Sequence, residues 1–400
     1  MNIGDYRTGK LLARTNLNEI RLLEDEPDLL TKSTLITNPM YELGKRILHK
    51  ESGLMKGLLL DFCPRPQELI VNPQGTHLIM EYIRGLTLSE YLNTGVSTEQ
   101  KLRIAIRLAT NLAFMHDRKI IHKDINPLNV IVSENEEQVS IIDFGISTKL
   151  TQEQTELNES KVLEGSLSYI SPEQTGRMNR NLDYRTDIYS FGLTLFELLW
   201  EEPGFPPGED YLSMVHGHLS LTPEKLLAIL EMKDNNLNRN LALIVQKCIE
   251  KEPDDRYQSF SAIVYDLEQA ALWMQDGFPE QFEPGRRNIP AFFRVSQKIY
   301  GREQQQQTLL RLAKECFENG RQHYVNIAGL SGIGKSSLVR SLFREITSQR
   351  GLYISGKFDQ FSRSTPFAAI KSAFEGYIQH LLTFPKDEIQ NTADIFKERL

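Results

Sequence analysis

Apolar residues in the middle of the chain recur at helical spacing. Ser97 and Gln100 form a capping box, with a hydroxyl at the cap and an amide three residues later. The apolar residues that follow, three or four positions apart, are Leu102, Ala105, Ile106, Ala109, Leu112 and Ala113. This spacing predicts a helix with one buried face. Residues 188–200 are apolar on nearly every side, which predicts a helix that is buried all round.

Shorter apolar runs alternate with polar loops elsewhere. Residues 1–80 predict short strands and one helix, which begins near Asn38 and Pro39 because proline suits a first helical turn. Residues 120–132 are apolar but interrupted by acids and amides, and the apolar pair at 141–142 predicts a buried strand. Both stretches place polar side chains beside predicted core segments.

The bulk properties restrict the class of protein. A chain of 400 residues is long enough for two or three domains. Its net charge of −7 and sequence pI of about 5.8 argue against nucleic acid as the main partner. Three widely separated cysteines give neither a paired metal spacing nor an even disulfide framework, and no apolar run approaches the length of a membrane span. We therefore expect a cytoplasmic protein without a membrane segment in this chain.

The polar residues of these two stretches suit a metal–nucleotide complex. Asp124 and Asn129 lie on one loop, and Asp143 ends the predicted strand that follows. Hard cations such as Mg²⁺ take oxygen ligands, commonly one or two carboxylates together with phosphate oxygens. The alternative is that the three residues belong to two ordinary turns. The occurrence of both stretches in this order favours the metal–nucleotide interpretation.

The two stretches resemble the catalytic loop and the Asp-Phe-Gly motif of protein kinases. Residues 122–129 are His-Lys-Asp-Ile-Asn-Pro-Leu-Asn, and residues 143–145 are Asp-Phe-Gly. The resemblance implies that Asp124 accepts the proton of a substrate hydroxyl, on a serine or threonine of a protein. It also implies that Asn129 and Asp143 hold the Mg²⁺ ions that bridge the phosphates of ATP.

The same resemblance assigns the amino-terminal region to the small lobe of a kinase. Lys32 corresponds to the lysine that pairs with the α- and β-phosphates, and Glu42 corresponds to its acidic partner on the first helix. Met80 would line the adenine pocket at the end of a strand. Main-chain groups of Glu81 and Ile83, in the hinge that follows, would bond the base. Surface charges and an ordinary edge strand are the alternatives for these positions.

Several positions depart from the usual kinase pattern. Residues 13–21 take the place of the glycine-rich loop and contain no glycine, although a backbone approaches phosphate most closely where no Cβ intervenes. The interval from Lys32 to Glu42 is shorter than usual. Asn126 replaces a lysine that reaches the γ-phosphate, and its amide brings no charge. These differences favour an alternative function, a weakly active or inactive pseudokinase-like module that binds nucleotide and relays its state.

Residues 146–170 are polar and resemble an activation segment. Its candidate phosphorylation sites are Thr148, Thr151, Thr155, Ser160 and Ser166. The segment ends in a stretch resembling the Ala-Pro-Glu signature, where Glu173 would pair with Arg256. Asp187, predicted to cap the following helix, corresponds to the aspartate that braces the catalytic loop. The stretch from the catalytic loop through this helix is similar to the kinase domain of a group of bacterial signalling proteins. Those proteins join a serine/threonine kinase, a P-loop ATPase and a sensor histidine kinase.

A second nucleotide site is predicted near the end of the chain. Residues 323–328 predict a buried strand, residues 329–336 are Gly-Leu-Ser-Gly-Ile-Gly-Lys-Ser, and residues 337–346 predict a helix. Strand, glycine-rich loop and helix are together the context of a P-loop.

In this P-loop, the backbone from Gly329 to Gly334 would surround the phosphates of ATP. Lys335 would reach the β- and γ-phosphates, and Ser336 would ligate Mg²⁺. An incidental glycine-rich turn is the alternative. A third interpretation of the whole chain makes ATP binding at Lys335 the main regulatory event.

No apolar strand ending in Asp or Glu follows the P-loop before residue 400, so no Walker-B carboxylate is seen. We expect the chain to be a fragment cut inside the ATPase domain. The resemblance implies that further ATPase, sensor and histidine kinase domains belong to the same signalling protein.

These features together predict an α+β protein-kinase-like two-lobe domain followed by part of an α/β P-loop NTPase domain. The kinase-like domain is predicted over 1–275, with its small lobe at 1–84 and its large lobe at 85–275. A linker is expected at 276–295 and the ATPase part at 296–400. The expected activity is ATP-dependent phosphorylation of protein serine or threonine in signal transduction.

Overall fold

The computed structural model contains two compact units, Met1–Gly301 and Arg302–Leu400. The structure describes residues 2–3, 6–58, 60–149, 166–175, 182–205, 211–220, 239–276, 282–289, 301–330, 332–342, 346, 354, 356, 367, 369–371 and 373–374. The candidate phosphorylation sites Thr151, Thr155 and Ser160 lie outside the described residues.

The first unit begins with an antiparallel sheet and one helix. In chain order the elements are β1 (Asn2–Ile3), β2 (Tyr6–Arg14), β3 (Glu19–Leu23), β4 (Leu29–Leu35), α1 (Tyr41–Lys56), β5 (Pro66–Asn72) and β6 (Gly75–Glu81). The six strands lie in the order β1-β2-β3-β4-β6-β5. Gly75 at the start of β6 permits the close approach of β4, because a Cβ at this position would lie 2.3 Å from the main-chain oxygen of Thr34.

The rest of this unit is predominantly helical. Its elements are β7 (Leu86–Thr87), α2 (Leu88–Leu92), α3 (Thr98–Asp117), β8 (Ile120–Ile121), β9 (Val130–Val132), β10 (Val139–Ile141), β11 (Thr148–Lys149), α4 (Arg185–Trp200), α5 (Tyr211–Ser220), α6 (Arg239–Cys248) and α7 (Phe260–Asp276). The predicted capping box begins α3. The Ser97 hydroxyl accepts from the Gln100 N–H at 3.3 Å, and the Gln100 amide oxygen accepts from the Ser97 N–H at 2.9 Å.

Helix α4 lies in the core of the large lobe, as its apolar sequence predicts. Gly192 allows α4 to approach α6, because a Cβ at this position would lie 2.5 Å from Cβ of Cys248. The prediction that Asp187 caps this helix was wrong. The helix begins at Arg185, so that Asp187 lies inside its first turn, and its carboxylate bonds to another segment.

The second unit contains α8 (Glu303–Asn319) and α9 (Lys335–Arg340). The buried strand predicted at 323–328 was wrong, because these residues have no regular structure and most are exposed. A strand requires hydrogen-bonded neighbours to satisfy its main chain, and the described residues of this unit include no other strand. The helix predicted at 337–346 corresponds to α9, which begins two residues earlier and is shorter.

Part of the predicted linker packs against the large lobe. The Gly285 N–H donates to Asp266 Oδ2 at 2.7 Å, and Asn288 accepts from the main chain of Gln258.

The predicted domain boundaries stay predictions. Among the described helices, none has both the length and the apolar character needed to cross a bilayer.

Candidate active site

A buried lysine on β4 joins two acidic side chains from different elements. Lys32 Nζ lies 2.9 Å from Glu51 Oε2 and 2.7 Å from Asp143 Oδ1. Glu51 comes from α1, and Asp143 follows β10. The N–H of Phe144 also donates to Glu51 Oε1 at 3.1 Å, so that α1 is bonded to both the lysine and the segment after Asp143. This arrangement positions one ammonium between the two lobes.

Electrostatics keep Lys32 and Asp143 of this cluster ionised. Burial lowers the pKa of the Lys32 ammonium, but the charges of Asp143 and Glu51 outweigh it, and the pKa is raised above its ordinary value. Burial raises the pKa of Asp143, but the nearby Lys32 ammonium has the larger combined effect, and the pKa is lowered. Glu51 is almost fully buried, and this burial raises the pKa of its carboxyl despite the opposing charge of Lys32. Lys32 and Asp143 are therefore the firmly charged pair at neutral pH.

The predicted pairing of Lys32 with Glu42 was wrong. Glu42 lies in the first turn of α1 and is exposed, whereas Glu51 lies farther along the same helix and faces the sheet. The sequence contains a signal for the correct partner. Leu48, Glu51 and Met55 have helical spacing and are all buried, so Glu51 is an acid within an apolar stripe. A buried acid requires a partner of opposite charge, which here is Lys32.

The catalytic loop holds its polar residues in a closed hydrogen-bond network. The Asn129 amide donates to Asp124 Oδ2 and to the Asp124 main-chain oxygen, each at 2.9 Å. The N–H of Ser166 donates to Asp124 Oδ1 at 2.8 Å, and the Asn126 amide donates to the Ser166 hydroxyl at 3.1 Å. Asn126 occupies the position where a charged lysine would be usual. Through the Ser166 hydroxyl, it orients the end of the activation segment.

Among the residues that the structure describes, two oxygen atoms near this loop have no hydrogen-bond partner. The N–H of Ile142 donates to the Asn129 main-chain oxygen at 2.9 Å, which brings Asn129 next to the segment that carries Asp143. Within the described part of the chain, neither the side-chain oxygen of Asn129 nor Oδ2 of Asp143 accepts a hydrogen bond. One amide oxygen and one carboxylate oxygen suit the preference of Mg²⁺ for hard ligands, so these residues fit a metal–nucleotide complex.

A buried aspartate of α4 braces the catalytic loop. Asp187 accepts from the N–H of His122 at 2.9 Å and from the N–H of Lys123 at 2.7 Å. His116 Nε2 lies 2.9 Å from the same carboxylate. Lys123 has a left-handed backbone with φ of 71°, and these two hydrogen bonds hold the loop in that conformation.

His122 has a packing position, as the resemblance implies. Its ring meets Phe144 edge to face with centroids 5.0 Å apart, and Nε2 lies 3.2 Å from the Ile142 oxygen.

Thr148 is completely buried in β11, which argues against this candidate phosphorylation site.

The end of the activation segment is fastened by a buried ion pair. Arg256 donates to both oxygens of Glu173, at 2.6 and 2.8 Å, as the resemblance implies. Arg256 also donates to the main-chain oxygen of Arg185 at the start of α4. This pair therefore joins the segment to the large-lobe core.

The hinge, residues 81–83, offers main-chain groups to a ligand at its third residue, Ile83. Met80 is buried at the end of β6, and the N–H of Glu81 donates to the Arg65 oxygen at 2.9 Å. The N–H of Tyr82 donates to Asp28. Within the described residues, neither the N–H nor the C=O of Ile83 has a hydrogen-bond partner. Ile83 is therefore better suited than the N–H of Glu81 to bond an adenine.

The β2–β3 turn, which takes the place of a glycine-rich loop, bonds internally. The Thr15 hydroxyl accepts from the N–H groups of Leu17 and Asn18, at 3.3 and 3.0 Å. Amide groups that would be available to phosphate in a glycine-rich loop are thus already occupied.

The predicted P-loop residues lie together in the second unit. Gly332 and Gly334 have φ of 80° and 90°, values that favour glycine. Lys335 Nζ donates to the main-chain oxygens of Gly329 and Leu330, both at 2.8 Å, and Ser336 is exposed beside it. The lysine therefore lies over its own loop, where a phosphate would compete with these two oxygens. The phosphate and metal roles of these residues stay predictions.

Comparisons with known proteins agree with this geometry. Residues 38–266 match the protein kinase domain, and residues 298–399 match the AAA ATPase domain. The chain is 28% identical over 274 residues to a probable serine/threonine-protein kinase of Streptomyces coelicolor, covering 66% of this chain and 40% of that protein. It is 29% identical over 272 residues to serine/threonine-protein kinase PknB of Mycobacterium tuberculosis, covering 66% and 42%. It is 30% identical over 257 residues to hybrid signal transduction histidine kinase G of Dictyostelium discoideum, covering 58% and 7%.

The sheet, the helical lobe and the motifs between them define a protein kinase fold. The chain belongs to the protein kinase domain family, and an AAA ATPase domain region follows the kinase domain. The predicted fold class is confirmed. Domains of both families use ATP, normally with Mg²⁺.

The chain spans only about two fifths of the length of the bacterial kinases that it matches. The kinase-domain match begins at residue 38, so that Lys32 and the β2–β3 turn lie outside it. The structure, and not this family match, supports the positions that the sequence predicts for these two features.

Proposed function

We propose that this chain transfers the γ-phosphoryl group of ATP to a serine or threonine hydroxyl of a protein. The observation that carries the proposal is the bonding of Lys32 to Glu51 and Asp143 at once. In phosphoryl transfer, positioning and charge stabilisation do most of the work, and both require this lysine and the metal-binding acid in place together. Family membership and the kinase names of the relatives support the same reaction.

Each group of the cleft has a distinct task in this proposal. Ile83 bonds the adenine through its main chain, and Lys32 neutralises phosphate charge. Asn129 and Asp143 would hold Mg²⁺, which when bound neutralises the phosphate oxygens. Asp124 receives the hydroxyl proton, since a carboxylate has about four acceptor sites and, within the described part of the chain, Asn129 and Ser166 occupy two of them.

One observation favours a second candidate function. The internally bonded β2–β3 turn deprives the nucleotide of phosphate contacts, which would suit a regulatory module that binds nucleotide weakly and relays its state to the ATPase. The P-loop around Lys335 would then be the principal ATP site. Further domains of the same signalling protein are the natural partners in either case.

A phosphotransfer assay on the whole chain distinguishes the two functions. The Lys335→Ala substitution is placed in every sample, so that nucleotide bound at the P-loop does not contribute. Asp143→Ala is compared with Asp61→Ala, a matched control in which the carboxylate is 93% exposed. Transfer of labelled phosphate to the chain itself and to a mixture of model proteins is measured.

Loss of transfer in Asp143→Ala alone is the result expected of a kinase. Equal background labelling in both variants and in the parent would reject catalysis. Nucleotide binding by the parent without any transfer would then support the regulatory module.

A further inference from the structure

The β2–β3 turn is formed without glycine and without backbone strain. None of its four residues, 15–18, has a positive φ. The Thr15 N–H donates to the Asn18 oxygen at 2.8 Å and closes the turn. The Thr15 hydroxyl accepts from Leu17 and Asn18, so three of the four amide groups in the turn are bonded within it. Thr15 thus supplies the acceptor that a bound phosphate would supply in a glycine-rich loop.

Two further side chains hold this turn from outside. The Asn38 amide donates to the main-chain oxygens of Asn16 and Leu17, at 2.8 and 3.3 Å. The Thr34 hydroxyl donates to the Asn18 side-chain oxygen at 2.5 Å, and both of these residues are buried. These contacts engage carbonyl and side-chain groups of the turn and leave its N–H groups to Thr15.

The turn lies close to the phosphate end of the proposed cleft. Ile20 on β3 pairs with Lys32 on β4, and Glu19 pairs with Ser33. Thr34 points to the same face of β4 as Lys32, because side chains alternate along a strand. Two residues of strand span roughly 7 Å, so the bond between Asn18 and Thr34 lies about that far along the strand from Lys32.

We propose that Thr15 determines the nucleotide affinity of the kinase cleft by occupying the amide groups that would otherwise bind phosphate. The inference rests on the proposed function, since it presumes a nucleotide at Lys32. With Thr15 in place, the phosphates depend on Lys32 and on the metal held by Asn129 and Asp143. Thr15 is a positioning residue that acts through the main chain of Leu17 and Asn18.

Substitutions at Thr15 separate this role from simple support of the turn. Thr15→Val keeps the branched shape but removes the acceptor, and Thr15→Ser keeps the acceptor. Asn38→Ala is the matched control, because it loosens the same turn without freeing an N–H group of the turn, and the N–H group that it does free belongs to Met40 outside the turn. All variants are made in the whole chain with Lys335→Ala, and their thermal unfolding is compared first.

Dissociation constants for a non-hydrolysable Mg–ATP analogue are then measured by calorimetry, together with kcat and KM for transfer. We expect Thr15→Val to bind the analogue about tenfold more tightly, since hydrogen bonds to charged groups are stronger than those to a neutral hydroxyl. Thr15→Ser should match the parent, Asn38→Ala should not tighten binding, and kcat should stay the same.

The inference is overturned if Thr15→Val binds within about twofold of the parent, or if Asn38→Ala tightens binding equally. Should Thr15→Val fail to fold, Thr15→Ala is measured by the same criteria, and equal or weaker binding by it also overturns the inference. Failure of the proposed function has a different signature, namely no phosphate transfer by the parent whatever the binding constants. A tighter Thr15→Val without transfer would uphold the role of Thr15 and reject the kinase reaction.

Discussion

The two sides of the proposed nucleotide cleft differ in how closely they follow the kinase pattern. On the large-lobe side, Asn129 bonds to Asp124 in a loop braced by Asp187, and Asp143 follows β10. On the small-lobe side, the β2–β3 turn has a threonine hydroxyl where glycine amides would bind phosphate. The difference indicates that the residues proposed for catalysis and the groups that would bind the nucleotide phosphates can vary separately. Four predictions test how far this separation extends, from the largest expected effect to the smallest.

Asp124→Asn should slow phosphate transfer by about 10²–10⁴-fold while the cleft still binds nucleotide. Proton acceptance by a positioned side chain contributes about 10²–10⁴-fold to a rate, and an amide cannot accept the proton. The decrease is measured in kcat, with the analogue dissociation constant as a control. A matched variant, Asp117→Asn at the end of α3, should keep the parent rate. An unchanged kcat in Asp124→Asn would contradict a catalytic role of the large-lobe side of the cleft.

Glu173→Ala should destabilise the large lobe strongly. It leaves the buried Arg256 guanidinium without its bidentate partner, and breaking such a pair costs about 3–5 kcal/mol. The free energy of unfolding is measured by urea titration of the whole chain. Glu99→Ala, which breaks an exposed pair with Arg103, should change stability by about 0.5 kcal/mol or less. Similar losses in both variants would contradict a special role for the buried pair.

Glu51→Gln should reduce kcat/KM by about tenfold, whereas Glu42→Gln should leave it unchanged. The amide keeps the shape of Glu51 but loses the charge that holds Lys32, and one tenfold change corresponds to about 1.4 kcal/mol. Both residues lie on α1, so the pair controls for changes in the helix itself. A larger effect at Glu42 would restore the partner predicted from the sequence.

The ion pair of Asp143 should give a small pH dependence of stability. The pKa of Asp143 is lowered in the folded protein, so its contribution is complete above the ordinary value of 3.8 and is lost as the pH falls through the lowered value. The stability difference between the parent and Asp143→Asn should therefore shrink only below about pH 3.8. Unfolding free energies at a series of pH values measure it, with Asp61→Asn as the exposed control. A difference that already vanishes near neutral pH would contradict the pairing with Lys32.

Sequence and structure agree best where a function depends on neighbours along the chain. The spacing of Asp124, Asn129 and Asp143 predicts one loop and one strand end, and the structure has both. Asn129 bonds to Asp124 five residues earlier, and the N–H of Ile142, next to Asp143, donates to the Asn129 main-chain oxygen, so local spacing was sufficient. The P-loop glycines Gly332 and Gly334 likewise have the positive φ that their positions require.

The amino-acid sequence by itself determined the kinase motifs, the capping box of α3 and the buried character of α4, because these depend on residue order over a few turns. Only the tertiary structure decided that Lys32 pairs with Glu51, since the rotation of α1 against the sheet selects one acid of that helix. The packing of α4 likewise turned Asp187 towards the catalytic loop. The attachment of the β2–β3 turn to β4 was also a tertiary result, because the Thr34 hydroxyl that bonds to the Asn18 side chain lies 16 residues away along the chain. The bonds from the Thr15 hydroxyl to Leu17 and Asn18 are local by contrast, and they span only two and three residues.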